Sequence, residues 1–397
     1  IECFVRLTEH SAEAIEACGG VINSQLRDLA IVTMPVERIE ELAGTGKIRQ
    51  IDVSRPLRLK SDQARVKVKA EDVQTLSAAA QAAGLTQKYD GSGVILGIID
   101  DGIEFNHLAF KNSTGATRLI AAYLPNATSA NGGIKKVIEG NTLSGYAYET
   151  PTAIGRLTTD NTSESHGTHT TGCAAGSRIT TTGLSPNVTY GGMACTADLV
   201  LCGCGNNLSN TAVANSALYI ANWAREKGQP CVISISLGDN QGPHDGTSET
   251  AEWYDSIAEE YGAVILLAAG NEGECKFYAS KTLSSDDDYL GTILGLSPDN
   301  EEEDEHATTL SSVDIWNSTN DPLEVQFVVV DEDGEKVWES DKMSSGSINA
   351  ATLRTYFNNT GFQSYWKVPQ EVKVQSSSTN SNGRFNLYVE ANLGPAK

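Results

Sequence analysis

Val94-Ile95-Leu96-Gly97-Ile98-Ile99-Asp100-Asp101-Gly102 is an apolar run that ends in two acids and a glycine. A run without polar alternation suits a strand covered on both faces, as in a parallel sheet flanked by helices. Three later runs have the same character: Leu199-Val200-Leu201-Cys202, Val232-Ile233-Ser234-Ile235-Ser236-Leu237 and Ala263-Val264-Ile265-Leu266-Leu267-Ala268. Helical stretches at 208–227 and 248–260 lie between them. Alternating strand and helix gives an α/β doubly wound sheet. Functional residues of such sheets gather at the carboxyl ends of the strands, where Asp100, Ser236 and Asn271 fall.

Outward from this sheet the pattern changes twice. Residues 1–73 read as strand, helix, strand, helix, strand, with room for a further strand near Val21-Ile22. That order suits a small ferredoxin-like α+β unit. Within it, 54–73 reads as an extended polar tail, and Thr75 to Ala83 as an alanine-rich helix closed by Gly84. Residues 74–274 hold the parallel sheet. Residues 275–397 open with acidic patches, Asp286 to Asp288 and Glu301 to Glu305. Short alternating runs follow at Val325 to Val330, Ser364 to Val368 and Phe385 to Val389, separated by turns such as Asp331 to Gly334. These features predict an antiparallel β sandwich of jelly-roll type. The acidic patches read as solvated loops, with a calcium site as the lesser alternative.

The chain has 397 residues, 40% hydrophobic and 20% charged, enough for two or three domains with a sizeable core. A formal charge of −22 argues against nucleic acid, whose binders present a basic face. With no apolar run of about 18 residues or more, no spanning helix is expected and no membrane partner. The chain opens at Ile1 on a strand, without an initiator Met, as a piece cut or numbered from a longer precursor would. Eight cysteines are scattered at 3, 18, 173, 195, 202, 204, 231 and 275, a spacing that reads as buried free thiols rather than a disulfide framework.

The chemistry lies in four short blocks. Asp100 ends a buried strand, where a carboxylate can orient an imidazole. His166, in Ser165-His166-Gly167-Thr168-His169-Thr170-Thr171-Gly172, is the candidate base, and its small neighbours allow a helix start to pack close to the sheet. Asn271, in Ala269-Gly270-Asn271, can aim its side-chain amide at a developing oxyanion. Ser236-Leu237-Gly238 ends a strand and can pair with an extended peptide. Metal alternatives are weak: His166 and His169 are three apart and lack the H-E-x-x-H pattern, and Cys195, Cys202 and Cys204 lack a C-x-x-C pair. No cofactor is called for beyond the calcium alternative at the acidic patches.

These blocks, in this order, resemble the subtilisin-like serine proteases, or subtilases. The Gly91 to Val94 entry and Ile99-Asp100-Asp101-Gly102-Ile103 are similar to the family's acid block. The resemblance covers the segment 74–274, apart from an unusually long stretch between Asp100 and His166. It implies a serine endopeptidase acting on peptides or proteins, with Asp100, His166 and Asn271 catalytic. Ser236, Leu237, Gly238 and Gly270 would line the substrate, the two glycines leaving an open primary pocket. It also implies that residues 1–73 are a propeptide whose tail lies in the cleft, cut near residues 65 to 75. The β sandwich inserted after Asn271 is similar to that of Csp-type and related bacterial subtilases. An exported or cell-envelope setting follows from the family, while free thiols also allow a cytoplasmic or spore-internal one.

One family block does not occur after Asn271: the nucleophilic serine in its Gly-Thr-Ser setting. Gly246-Thr247-Ser248 precedes Asn271 and is followed by Glu249-Thr250, so Ser248 reads as a helix N-cap. The serine, with the family's last core strand and helix, is expected on a further C-terminal polypeptide. The rival expectation is a catalytically inactive relative or fragment serving as a binding or regulatory module. A metal-binding α/β protein is a third, from another class.

Overall fold

Ile95–Asp100 is a fully buried strand near the middle of a six-stranded sheet. A computed structural model describes the chain apart from residues 9–10, 54–57, 60–67, 181–188, 206, 272–277, 286–287, 293–309, 331–334, 350–370, 379, 381 and 393–397. The chain divides into two units, Ile1–Asn240 with Glu249–Gly273, and Gln241–Ser248 with Glu274–Lys397.

In the first unit the sheet order is Tyr146–Tyr148, Leu119–Leu124, Asp198–Gly203, Ile95–Asp100, Cys231–Ile235, Val264–Leu267. All pairings are parallel except that of Tyr146–Tyr148 with Leu119–Leu124. The fold is α/β, as expected. Side chains alternate between two cores. Ile95 and Ile99 face the helix Asn210–Lys227, whereas Leu96 and Ile98 face Ile103, Phe105 and Ala175. The two strands that the long 101–165 stretch adds to this sheet are not among those expected from the sequence. Leu119–Leu124 contains two alanines, which are poor strand formers, and Tyr146–Tyr148 is too short to show a period.

Asn210–Lys227 is buried from Asn210 to Ala224, all the way round its axis. Ser209 caps its start by accepting from the Ala212 N–H, and Gly228 closes it in the left-handed conformation. The sheet covers one side. The other is covered by the N-terminal residues, whose antiparallel sheet runs Val21–Leu26, Leu29–Thr33, Glu2–Leu7, Ile48–Val53. Cys3, Val5, Ala30 and Val32 pack on their own helices Ser11–Ala17 and Ile39–Gly44, through Ile15 and Leu42. Phe4, Leu26, Leu29 and Ile31 point the opposite way, into the core that holds Trp253 and the helix Asn210–Lys227. Polar ties cross the same joint. Ser24 donates to Asn215 at 2.7 Å, Arg6 pairs with Glu252, and Arg27 meets Glu259 and Glu260 at 2.8 and 3.0 Å.

Glu2 sits in this joint, accepting from Asn23 at 2.8 Å and from the Thr211 hydroxyl at 3.0 Å. Burial pushes its carboxyl above the usual range, although these donors pull the other way. A raised folded value means the stabilisation is complete below about pH 4, the unfolded value, and is lost as pH rises through the folded one. Glu2→Gln is therefore expected to abolish that part of the decline. Urea midpoints at pH 4 and pH 7 test this; equal slopes in the two proteins would refute it.

Two expectations at the end of the N-terminal part need correction. Residues 70–75 form a helix, not tail, and the alanine-rich stretch is a second short helix, Ala78–Ala82. Leu76 takes a left-handed conformation between them, and Ser77 caps the second by accepting from the Ala80 N–H. Arg58–Leu59 forms a short strand.

The second unit contains a four-stranded antiparallel sheet ordered Leu310–Trp316, Asn386–Asn392, Glu371–Ser377, Gly346–Asn349. Val328–Val330 and Lys336–Glu339 make a separate ribbon. One core joins them, with Val372, Val374, Leu387 and Val389 packed against Phe327 and Trp338. Of the run Val325 to Val330 only the last three residues are strand, while Val325 makes an isolated bridge to Met343. Ser364 to Val368, the 331–334 turn, Asp286, Asp287 and the 301–305 patch lie outside the described residues. Cys3, Cys18, Cys195, Cys202, Cys204 and Cys231 are buried free thiols and Cys173 is an exposed one; Cys275 lies outside the described residues. Among the described residues no helix is long and apolar enough to cross a membrane.

Candidate active site

Asp100 is the last residue of its strand and is fully buried. A buried carboxylate needs donors on its oxygens. Oδ1 accepts the Asp101 N–H at 2.8 Å and Oδ2 accepts the Thr170 hydroxyl at 2.7 Å. His166 Nδ1 lies 2.7 Å from Oδ1. A carboxylate only accepts, so Nδ1 carries a proton, and in the neutral ring Nε2 keeps the lone pair. The imidazole is thereby held in one tautomer, with its basic nitrogen turned away from the acid.

The histidine opens the helix His166–Ala175. Its first turn is fastened to the loop after Asp100. Gly167 N–H donates to the Asp101 carbonyl at 2.6 Å, Thr168 N–H to the Gly102 carbonyl at 3.1 Å, and Thr168 Oγ1 to the same carbonyl at 2.8 Å. Two glycines make this approach possible. A Cβ on Gly167 would stand 2.5 Å from Ile103 Cγ1 and 2.7 Å from the Asp101 carbonyl oxygen. Gly102 has φ +71, and a Cβ there would meet the Glu164 backbone at 2.5 Å. His169 points down the exposed side of the helix, with Nε2 3.7 Å from Cys173 Sγ.

The sheet brings the other candidates to the same carboxyl edge. Cys231–Ile235 neighbours the Asp100 strand and runs into Ser236 and the short strand Leu237–Gly238. Leu237–Gly238 pairs antiparallel with Arg58–Leu59, Leu237 opposite Leu59 and Gly238 opposite Arg58. Two strands from Asp100, Val264–Leu267 leads through Ala268, whose N–H donates to the Ile235 carbonyl at 3.1 Å. It continues to Gly270, with φ +98, and to Asn271, both exposed. Thr247, in the sequence's Gly-Thr-Ser, is tied instead to Asp245 at 2.6 Å, and the helix after it starts at Glu249.

Two contributors escaped the sequence. Thr170 stands inside the quoted histidine block one helical turn after His166, a spacing that puts both side chains on the face turned to Asp100 and could have flagged it. Asp160 lies in the turn before His166, and its carboxylate holds the N–H groups of Ile103 and Gly205. Nothing in its local sequence separates it from a surface acid.

A model of the subtilase family matches residues 91–387. Among solved structures, the Clostridium perfringens CspB protease is 18% identical, with 83% of this chain and 61% of that one covered at a TM-score of 0.48. The epidermin leader peptide processing serine protease EpiP of Staphylococcus aureus is 16% identical, with 69% and 61% covered at 0.39. The chain thus spans 61% of the length of each of these two proteins. Since the family model takes in both the sheet with its Asp100–His166 pair and most of the second unit, the chain belongs to the subtilase family of serine proteases.

Proposed function

We propose that these residues supply the acid, the base and the oxyanion donor of a serine endopeptidase, the nucleophilic serine coming from sequence beyond residue 397. The 2.7 Å contact of His166 Nδ1 with a carboxylate anchored on both oxygens carries this reading. A serine hydroxyl brought to Nε2 gives up its proton as its oxygen attacks the scissile carbonyl. The imidazolium so formed is stabilised by Asp100. The Asn271 side-chain amide donates to the oxyanion, and collapse expels the amine with the proton from Nε2. Water then cleaves the acyl-enzyme by the same path. The substrate lies as an added strand on Ser236-Leu237-Gly238, with room at Gly238 and Gly270 for a side chain.

In this reading residues 1–73 act as an inhibitory propeptide, with Arg58–Leu59 occupying the substrate's place on Leu237–Gly238. The missing part of the sheet would join at Val264–Leu267. Among the described residues this strand is paired on one side only, and Val264, Leu266 and Leu267 are more than half exposed. The pairing at Leu237 also favours a second reading, a catalytically inactive module whose groove is permanently filled.

Fluorophosphonate labelling separates the two. The N-terminal part is first removed by limited digestion, and the label is located by mass spectrometry. Label on a co-purifying or C-terminally continuous polypeptide is the expected result. Complete absence of label from the full-length, digested protein would favour the inactive module, and label on Ser248 would overturn its assignment as a capping residue.

A further inference from the structure

Asp160 joins the two loops that enclose Asp100. Its Oδ1 accepts the Ile103 N–H at 2.6 Å and its Oδ2 accepts the Gly205 N–H at 2.8 Å. Each loop touches the Asp100–His166 pair. Ile103 is packed so tightly on Gly167, the residue after His166, that no side chain would fit there. Gly203 is the register partner of Asp100, and the Cys204 N–H donates to the Asp100 carbonyl at 2.8 Å. Asp160 lies against Gly203 itself, where a Cβ would stand 2.5 Å from its Cγ. The neighbouring Asn161 donates to Asp101 Oδ2 at 2.9 Å, so the same turn also fixes the residue after Asp100.

We propose that Asp160 is a positioning residue for the Asp100–His166 pair. It clamps the loop after Asp100 to the loop after Gly203, so that Nδ1 of His166 meets Oδ1 of Asp100. The inference rests on reading that pair as catalytic acid and base. Asp101 completes the clamp. Its Oδ1 is buried without a donor among the described residues, and its carboxyl faces that of Asp160. Burial pushes the Asp160 carboxyl up to about 6, with the charge of Asp101 adding to the rise and the Gly205 and Ile103 N–H groups opposing it.

Asp160→Asn keeps the size but turns an NH₂ group toward one of two backbone donors, so one side of the clamp is lost. An imidazole Nδ1 proton bonded to a carboxylate resonates far downfield of the amides, and His166→Ala identifies the signal. In proton NMR of the 397-residue chain, wild type is expected to show this signal and Asp160→Asn to lose or broaden it. In the polypeptide that includes the nucleophile, kcat should fall about 10- to 100-fold with KM within about twofold, the signature of a misplaced rather than an unbound reactant. Should Asp160→Asn fail to fold, Gly203→Ala decides: it displaces the carboxylate without removing its charge and should weaken the same signal. An unmoved signal in the folded variant overturns the proposal even if kcat falls, because the loss would then arise elsewhere. Absence of the signal in wild type would refute the acid–base pairing itself, and this inference with it.

Discussion

His166→Ala is expected to lower kcat for peptide hydrolysis by about a millionfold, leaving a residue of activity from binding and the oxyanion donor. The size follows from the geometry. In the proposed mechanism His166 takes the serine proton and returns it to the leaving amine, and Asp100, itself held by Thr170, orients it. Removing the imidazole leaves the buried Asp100 carboxylate with its remaining donors from Asp101 and Thr170, so the fold should survive. The test is kcat of the complete polypeptide, freed of its N-terminal part and normalised by far-UV circular dichroism to folded protein. A loss smaller than about tenfold would exclude His166 as the general base, since that role alone contributes about 10²–10⁴-fold.

The largest effect on stability is expected at Trp253. Its side chain is fully buried, its Nε1 donates to the Ala214 carbonyl at 3.1 Å, and its ring meets Phe4 edge-on at 5.8 Å. Trp253→Ala removes the transfer energy of a large ring and leaves a cavity, a cost of about 3–5 kcal/mol. It also strips Phe4 of its partner, so the N-terminal sheet should loosen before the parallel sheet does. Urea unfolding followed separately by far-UV signal and by proteolysis of residues 1–53 checks both points. A loss under about 1 kcal/mol would mean that the joint repacks around the gap.

Much of the sheet was legible because strands apolar on both faces have few other fates. Ile95–Asp100 and Cys231–Ile235 are such strands. The four chemical blocks stood out because each sets a polar residue within two positions of a glycine. Gly167 shows why the glycine matters, since any side chain there would strike Ile103. What stayed hidden depends on distance along the chain. The polar faces of Asn210–Lys227 suggest solvent, yet Ser24 and Glu2, roughly two hundred residues away, cover them. Asp160 acquires its role only because strand 198–203 ends beside strand 95–100, a neighbour relation that no local pattern encodes.

The joint between the N-terminal sheet and the helix Asn210–Lys227 is unequal in a way that bears on its fate. The other side presents Thr211 and Asn215 of that helix, beside Trp253 of the helix Glu249–Tyr261. The N-terminal side presents Phe4, Leu26, Leu29 and Ile31. Were the two to separate, water would wet the helix readily, while the smaller partner would carry away a greasy sheet face. The larger partner is thereby the survivor of any parting, and the smaller one the natural prey of aggregation and digestion. Loss of the smaller partner to aggregation or digestion would then make the separation one-way.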